Sequence, residues 1–167
     1  MDGTHVADLV TANAARVPEQ PAVIDVTSGD TLTWAQLDEA VSAEADRVSG
    51  AGVAPGDRVV VRLGNGAAFC VAVLGALRAG AVVVPHGPVA VAVELDVVFA
   101  DCRPVLVVAA EGDDTARACA ATVGAAVVPP PDLAACAPGR PGVGAGEDIA
   151  LLVYASGTTG VPRGIQL

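Results

Sequence analysis

Apolar residues recur along this chain with two alternating periods. Val6, Leu9, Val10, Ala14 and Val17 fall at helical spacing and stop at Pro18. A short strand over residues 22–26 turns at Thr27-Ser28-Gly29-Asp30 into a second at 31–33. Thr33 and Gln36 have the spacing of a capping box, in which a hydroxyl and an amide satisfy N–H groups of a first helical turn. The helix they open runs to about Ala51, with Trp34, Leu37, Val41, Ala45 and Val48 on one stripe. Asp38, Glu39, Glu44, Asp46 and Arg47 are expected on its solvated side. Gly52 closes the helix, Pro55-Gly56-Asp57 turns, and residues 58–63 form a valine-rich strand.

Residues 67–79 are apolar all round, which predicts a buried helix, with Gly80 as its stop and a strand over 81–84. Residues 89–102 have the valine content of a strand, but Val91, Leu95, Val98, Phe99 and Cys102 keep helical spacing, so they are assigned to a helix. A strand at 104–109, a helix at 113–122 and a strand at 125–128 follow. Residues 129–146 hold nine Pro or Gly in eighteen positions, the composition of a loop or linker. Then Ile149 to Tyr154, almost unbroken in apolarity, reads as a strand buried on both faces in the middle of a parallel sheet. The alternation predicts an α/β fold, a mainly parallel sheet with helices on both faces and ligands at the carboxyl ends of its strands. Three stretches result: an α/β subdomain at 1–128, a Pro/Gly-rich linker loop at 129–147, and a strand with its following loop at 148–167. No internal repeat is visible.

Composition narrows the function. At 167 residues the chain is long enough for one domain. Its net charge of −10 argues against nucleic acid or an anionic membrane surface as partner, and it opposes a nucleotide at long range. All nine basic residues are arginine, which looks like biased codon usage. Cys70, Cys102, Cys119 and Cys136 form no CxxC and have no histidines clustered around them, so free thiols are expected and no metal site. The start MDGTHVADLV lacks a basic region ahead of an apolar core, and the most apolar stretch, 67–85, is broken by Gly75, Arg78 and Gly80. No signal peptide and no membrane span are expected, and a cytoplasmic location follows.

The candidate chemistry lies at the end. Ser156-Gly157-Thr158-Thr159-Gly160 is followed by Val161-Pro162-Arg163-Gly164. Glycines let a backbone curl so that several N–H groups point into one concavity. The hydroxyls of Ser156, Thr158 and Thr159 add donors, and Arg163 adds a planar cation. Such a loop suits a phosphate chain. A plain Gly/Ser/Thr turn joining two strands fits the five residues equally well. The spacing rules out GxxxxGK[ST], GxGxxG and the hydrolase elbow GxSxG.

The longer string decides between them. YASGTTGVPRG, Tyr154 to Gly164, resembles the phosphate-binding signature of the adenylate-forming enzymes, the superfamily of acyl-CoA synthetases, luciferases and peptide-synthetase adenylation domains. That pattern reads Tyr, a small residue, Ser-Gly-Thr-Thr-Gly, any residue, Pro-Lys-Gly, and Arg163 stands where the family has lysine. LTWAQL at 32–37, PGDRVVVRLGNGAAF at 55–69 and LRAGAVVVPHGP at 77–88 are similar to further family elements in the same order. Within those stretches Trp34, Phe69 and Leu77 are read as packing residues. VLGALRAG leans toward the acid–CoA ligases.

The resemblance implies an incomplete piece of the large N-terminal domain of an ATP-dependent, AMP-forming acid–thiol ligase, with a tie to fatty acid metabolism. Ser156, Gly157, Thr158, Thr159 and Gly160 would wrap the β- and γ-phosphates of ATP with Mg²⁺, and Arg163 would stand in for the lysine. A carboxylic acid would be the substrate, and CoA or a carrier-protein phosphopantetheine the acceptor. The family's adenine segment, ribose-binding aspartate, acyl pocket and mobile C-terminal domain follow the signature, so catalytic residues are expected downstream of residue 167. His5 and His86 match no catalytic position. Three readings remain at this stage: the N-terminal part of a ligase completed by the remainder of the enzyme or a second subunit, a non-catalytic short form binding a nucleotide or partner, and a truncated product. A carrier-protein-loading adenylation domain is the variant of the first, and a homo-oligomer stays open.

Overall fold

The computed structural model describes residues 5–144, 148–156 and 162–167. Helix α1 (Asp8–Arg16) leads into an antiparallel hairpin of β1 (Pro21–Ile24) and β2 (Thr31–Thr33), and α2 (Trp34–Gly50) follows without a break. The capping box is present: Gln36 N–H donates to Thr33 Oγ1 at 3.3 Å, and Thr33 N–H to Gln36 Oε1 at 2.9 Å. Three β/α units come next: β3 (Arg58–Arg62), α3 (Ala67–Arg78), β4 (Val82–Pro85), α4 (Ala92–Cys102), β5 (Leu106–Ala109), α5 (Asp114–Val123) and β6 (Ala126–Val128). Their strands form one parallel sheet in the order β4-β3-β5-β6. Residues 89–102 settle as helix from Ala92 onward, as the apolar spacing required.

Two-sided burial explains the valine runs. Val59 and Val61 point to one face with Val83, Leu106 and Val108, under α2 and α3. Val60 and Val107 point to the other, under Leu95, Val98 and Phe99 of α4 and Ala116, Cys119 and Ala120 of α5. A third cluster packs Val10, Leu37 and Val41 against Val71, joining α1, α2 and α3.

Two expectations fail on burial. Asp38 and Glu44 are not on a solvated side: they are 6% and 2% exposed, because α2 is covered along that flank by α1 and α3. Arg78, in an otherwise apolar helix, explains the first. Its Nη2 donates to Asp38 Oδ1 at 2.7 Å, to Thr11 Oγ1 at 3.0 Å and to the Ala7 carbonyl at 3.0 Å. Its Nη1 donates to Ser42 Oγ at 2.7 Å and to the Asp38 carbonyl at 3.0 Å. Glu44 is bridged by Arg47, whose Nε and Nη2 donate to its two oxygens at 2.7 and 2.8 Å, while burial pushes the carboxyl up from its ordinary value.

From 129 to 144 the chain has no helix or strand, and it runs over α1, α2 and α3. Leu133 packs into the third cluster, Gly142 N–H donates to Asp8 Oδ1 at 2.8 Å, and Val143 N–H to the Arg78 carbonyl at 2.9 Å. This course carries the chain from β6 to the opposite edge of the sheet. There β7 (Leu152–Ser156) pairs with β8 (Pro162–Gln166) in an antiparallel hairpin, and a parallel bridge between Leu151 and Val83 attaches it beside β4. The strand read as central in a parallel sheet and buried on both faces therefore lies between β4 and an antiparallel neighbour, β8, and is only partly buried. Residues 151–154 are half-buried and Ala155 is exposed. Its apolar side chains divide between the two faces: Leu152 and Tyr154 pack with the α4–α5 cluster, and Ala150 and Leu151 with the cluster under α2 and α3.

Candidate functional site

The parallel bridge to β4 sets the direction of β7, so Ser156 ends the strand toward the edge where β3, β4 and β5 also end. That is the edge at which α/β sheets receive ligands. The usual crevice in such a sheet opens where successive connections leave in opposite directions, here between β3 and β5, with α3 on one face and α5 on the other. In this chain Arg62 fills that point. It is 3% exposed, and its Nε donates to Asp113 Oδ2 at 2.9 Å. Nη1 donates to the Gly87 carbonyl at 2.7 Å, and Nη2 to those of Pro88 and Ala90 at 2.8 and 3.1 Å. Asp113 is itself the N-cap of α5, accepting from Ala116 N–H at 2.9 Å. The guanidinium thus ties the segment after β4 to the start of α5, and its donors are spent on protein.

Of the residues expected to hold phosphate, Ser156 is the last of β7 and pairs with Pro162 across the hairpin. Arg163 lies in β8 opposite Ala155, is exposed, and makes no ion pair among the described residues. Gly157, Thr158, Thr159 and Gly160 lie outside the described residues. β8 follows the string, which therefore joins two strands as the turn reading required, at the edge where β3, β4 and β5 end.

Three features of the hairpin were invisible in the string. The Tyr154 hydroxyl donates to the carboxylate of Asp101 on α4. Burial, then that bond, push the phenol well above its ordinary value, so it stays a donor. Gly164 faces Tyr154 across the ladder, where an added Cβ would stand 3.2 Å from Tyr154 Cζ and 2.9 Å from Leu152 Cδ1. Asp101 gave no sequence signal, because its partner is 53 positions away.

His5, His86 and Asp25 make local structural contacts. His5 Nδ1 accepts from Ala7 N–H at 3.2 Å at the start of α1. His86 is half-buried beside Arg62; burial first, and then that cation, lower its basicity. All four cysteines are free thiols. Burial pushes Cys102 and Cys119 up to about 11, which leaves both poor nucleophiles. Asp25 accepts from Thr27, Ser28 and Ala67 N–H groups at 2.9, 3.2 and 3.2 Å, capping α3 from a distance, and these bonds, that from Thr27 foremost, hold its carboxyl below the ordinary value. Among the described residues no three His, Cys, Asp or Glu converge on a metal position, and no helix is long and apolar enough to cross a membrane.

The profile of the AMP-binding enzyme family matches residues 10–167. The chain belongs to that family. It is 32% identical over 164 residues to the isonitrile lipopeptide synthase of Mycobacterium tuberculosis, a match covering 97% of this chain and 6% of the synthase. With the long-chain-fatty-acid–CoA ligase FadD13 of the same organism it shares 30% identity over 159 residues, 89% of this chain and 32% of the ligase. Among solved structures it resembles the inhibitor-bound N-terminal domain of FACL13 from Mycobacterium tuberculosis, with a TM-score of 0.87, 25% identity, and coverage of 98% of this chain and 44% of that one. This AMP-binding chain thus has the fold of the N-terminal part of acyl-CoA synthetases and spans less than half the length of each of these three relatives.

Proposed function

We propose that this chain forms the phosphate-gripping part of an ATP-dependent, AMP-forming acid–thiol ligase. The observation that carries the proposal is the eleven-residue string from Tyr154 to Gly164, set at the carboxyl end of β7 in a chain of the AMP-binding family. Ser156, Gly157, Thr158, Thr159 and Gly160 supply N–H and hydroxyl donors to the β- and γ-phosphates. Arg163 fits the role of the accompanying cation: it is exposed and has no ion pair among the described residues. A fork is bulkier than an ammonium, and it grips two oxygens at once. Mg²⁺ neutralises part of the triphosphate charge, which a protein with net charge −10 otherwise repels.

In the reaction, an oxygen of a carboxylic acid attacks the α-phosphorus and the bond to the β-phosphate oxygen breaks, giving an acyl-adenylate and pyrophosphate. A thiol sulfur, of CoA or of a carrier-protein phosphopantetheine, then attacks the acyl carbon, releasing AMP and leaving its proton to solvent or a base. Residues 1–128 form the supporting α/β unit, 129–147 the connecting segment and 148–167 the strand and loop of this reading. The test is ATP–pyrophosphate exchange against a panel of carboxylic acids. It uses the chain alone and the chain joined to the segment that follows the matched region in a CoA-ligase relative. Exchange by the joined protein, abolished or cut at least about 10-fold by T158A/T159A, is the expected result. Exchange indifferent to those substitutions would remove the phosphate role of the loop.

A further inference from the structure

Little backbone attaches β7 to the sheet. Val83 N–H donates to the Ala150 carbonyl at 2.9 Å, and Val83 and Leu151 form the bridge. From Leu152 onward, the ladder partners of β7 among the described residues lie in β8. A two-stranded ribbon is marginal by itself, so a hairpin fixed at one end can pivot about that end. Tyr154 opposes the pivot at the other end. Its ring packs beside Leu152 on the α4–α5 face, lies against Gly164, and its hydroxyl reaches Asp101. Asp101 belongs to the last turn of α4, and that turn is itself held. Arg58 of β3 donates from Nε to the Cys102 carbonyl at 2.7 Å and from Nη2 to the Arg103 carbonyl at 3.0 Å. A continuous chain of contacts therefore runs from the centre of the parallel sheet, through the end of α4, to the carboxyl end of β7.

We propose that Tyr154, held by Asp101, is a positioning residue for nucleotide binding: it fixes the carboxyl end of β7 and so the direction in which the chain leaves the sheet after Ser156. The proposal rests on the phosphate-binding reading of Ser156 to Gly160. A hairpin that is in the competent orientation only part of the time binds more weakly in proportion to that fraction.

The experiment uses the ¹⁵N-labelled chain, titrated with Mg·ATP and separately with inorganic triphosphate while the amides of Gly157 and Gly160 are followed. Y154F and D101A are each expected to raise the half-saturating concentration roughly 3- to 10-fold, and the double variant no further. D101N, whose Oδ1 still accepts a hydrogen bond, stays within about 2-fold of wild type. Without ligand, amide exchange at Ala155 and Arg163 accelerates in Y154F while that of Val60 and Val107 is unchanged, which separates a local release from general destabilisation. Asp101 is exposed, so D101A tests the pair even if Y154F folds poorly. Half-saturation unchanged in both single variants, or effects that add in the double, overturns the positioning role alone. A wild-type chain whose Gly157 and Gly160 amides respond to neither probe overturns the phosphate reading and, with it, the role built upon it.

Discussion

A guanidinium with no exposed surface is the residue that most shapes this chain. Arg78 gathers an aspartate, two hydroxyls and two backbone carbonyls from α1, its flank and α2. Its value lies less in the attraction to Asp38 than in what removal would leave behind: a buried carboxylate with, among the described residues, only the Thr11 hydroxyl to donate to it, and a serine and two carbonyls that each lose a donor. R78M keeps much of the aliphatic volume and should still lower unfolding stability by about 3–5 kcal/mol in urea titrations. D38N/R78M should recover part of that loss, because the stranded charge is gone. Equal stabilities for R78M and wild type would mean that water reaches this cluster. Residues of this kind were the hardest to read from sequence. An aspartate on the polar side of α2 and an arginine interrupting α3 are each unremarkable, and only the packing of three helices makes them partners.

Between elements, the contact of α2 with α3 depends on a missing side chain. A Cβ placed on Gly75 would lie 2.4 Å from Glu44 Cγ and 2.6 Å from Glu44 Cβ. Alanine is favoured over glycine inside a helix by about 1 kcal/mol, but the clash involves atoms close to the α2 backbone that have little freedom to retreat. G75A should therefore destabilise the fold by about 1–2 kcal/mol net, read as an earlier denaturation midpoint, where propensity alone predicts a later one. Element identity was legible from the sequence wherever it rested on local period or local chemistry. The Thr33–Gln36 box, the helix ending before Pro18 and the valine strands 58–63 and 104–109 are cases. Pairing was not legible. Residues 149–154 carry the apolarity of a central strand, yet nothing within six residues states which edge they join or that β8 folds back on them antiparallel. Of the candidate site, the string and its strand were readable, whereas Asp101, donated by a helix far back in the chain, was not.

At the scale of the whole molecule, charge and chain coverage bear on the same measurement. Nineteen acidic residues against nine arginines give a field that repels a triphosphate until it meets local donors or Mg²⁺. On the proposed phosphate role, Ser156 to Gly160 with Arg163 would offer about five good donors, each worth on the order of 1–2 kcal/mol net. Ordering a loop costs about 1–2 kcal/mol per residue, which cancels most of that gain unless neighbouring chain shares the work. In this chain β7 is held to β4 by a single bridge, to β8 by an antiparallel ladder and to α4 by a tyrosine. The two terms leave little surplus, so the 167 residues alone should bind Mg·ATP with a dissociation constant of about 1 mM or weaker by calorimetry. A value below about 10 μM would show that the loop is preorganised by this part of the fold alone, since a surplus of that size requires ordering to cost far less than a free loop demands.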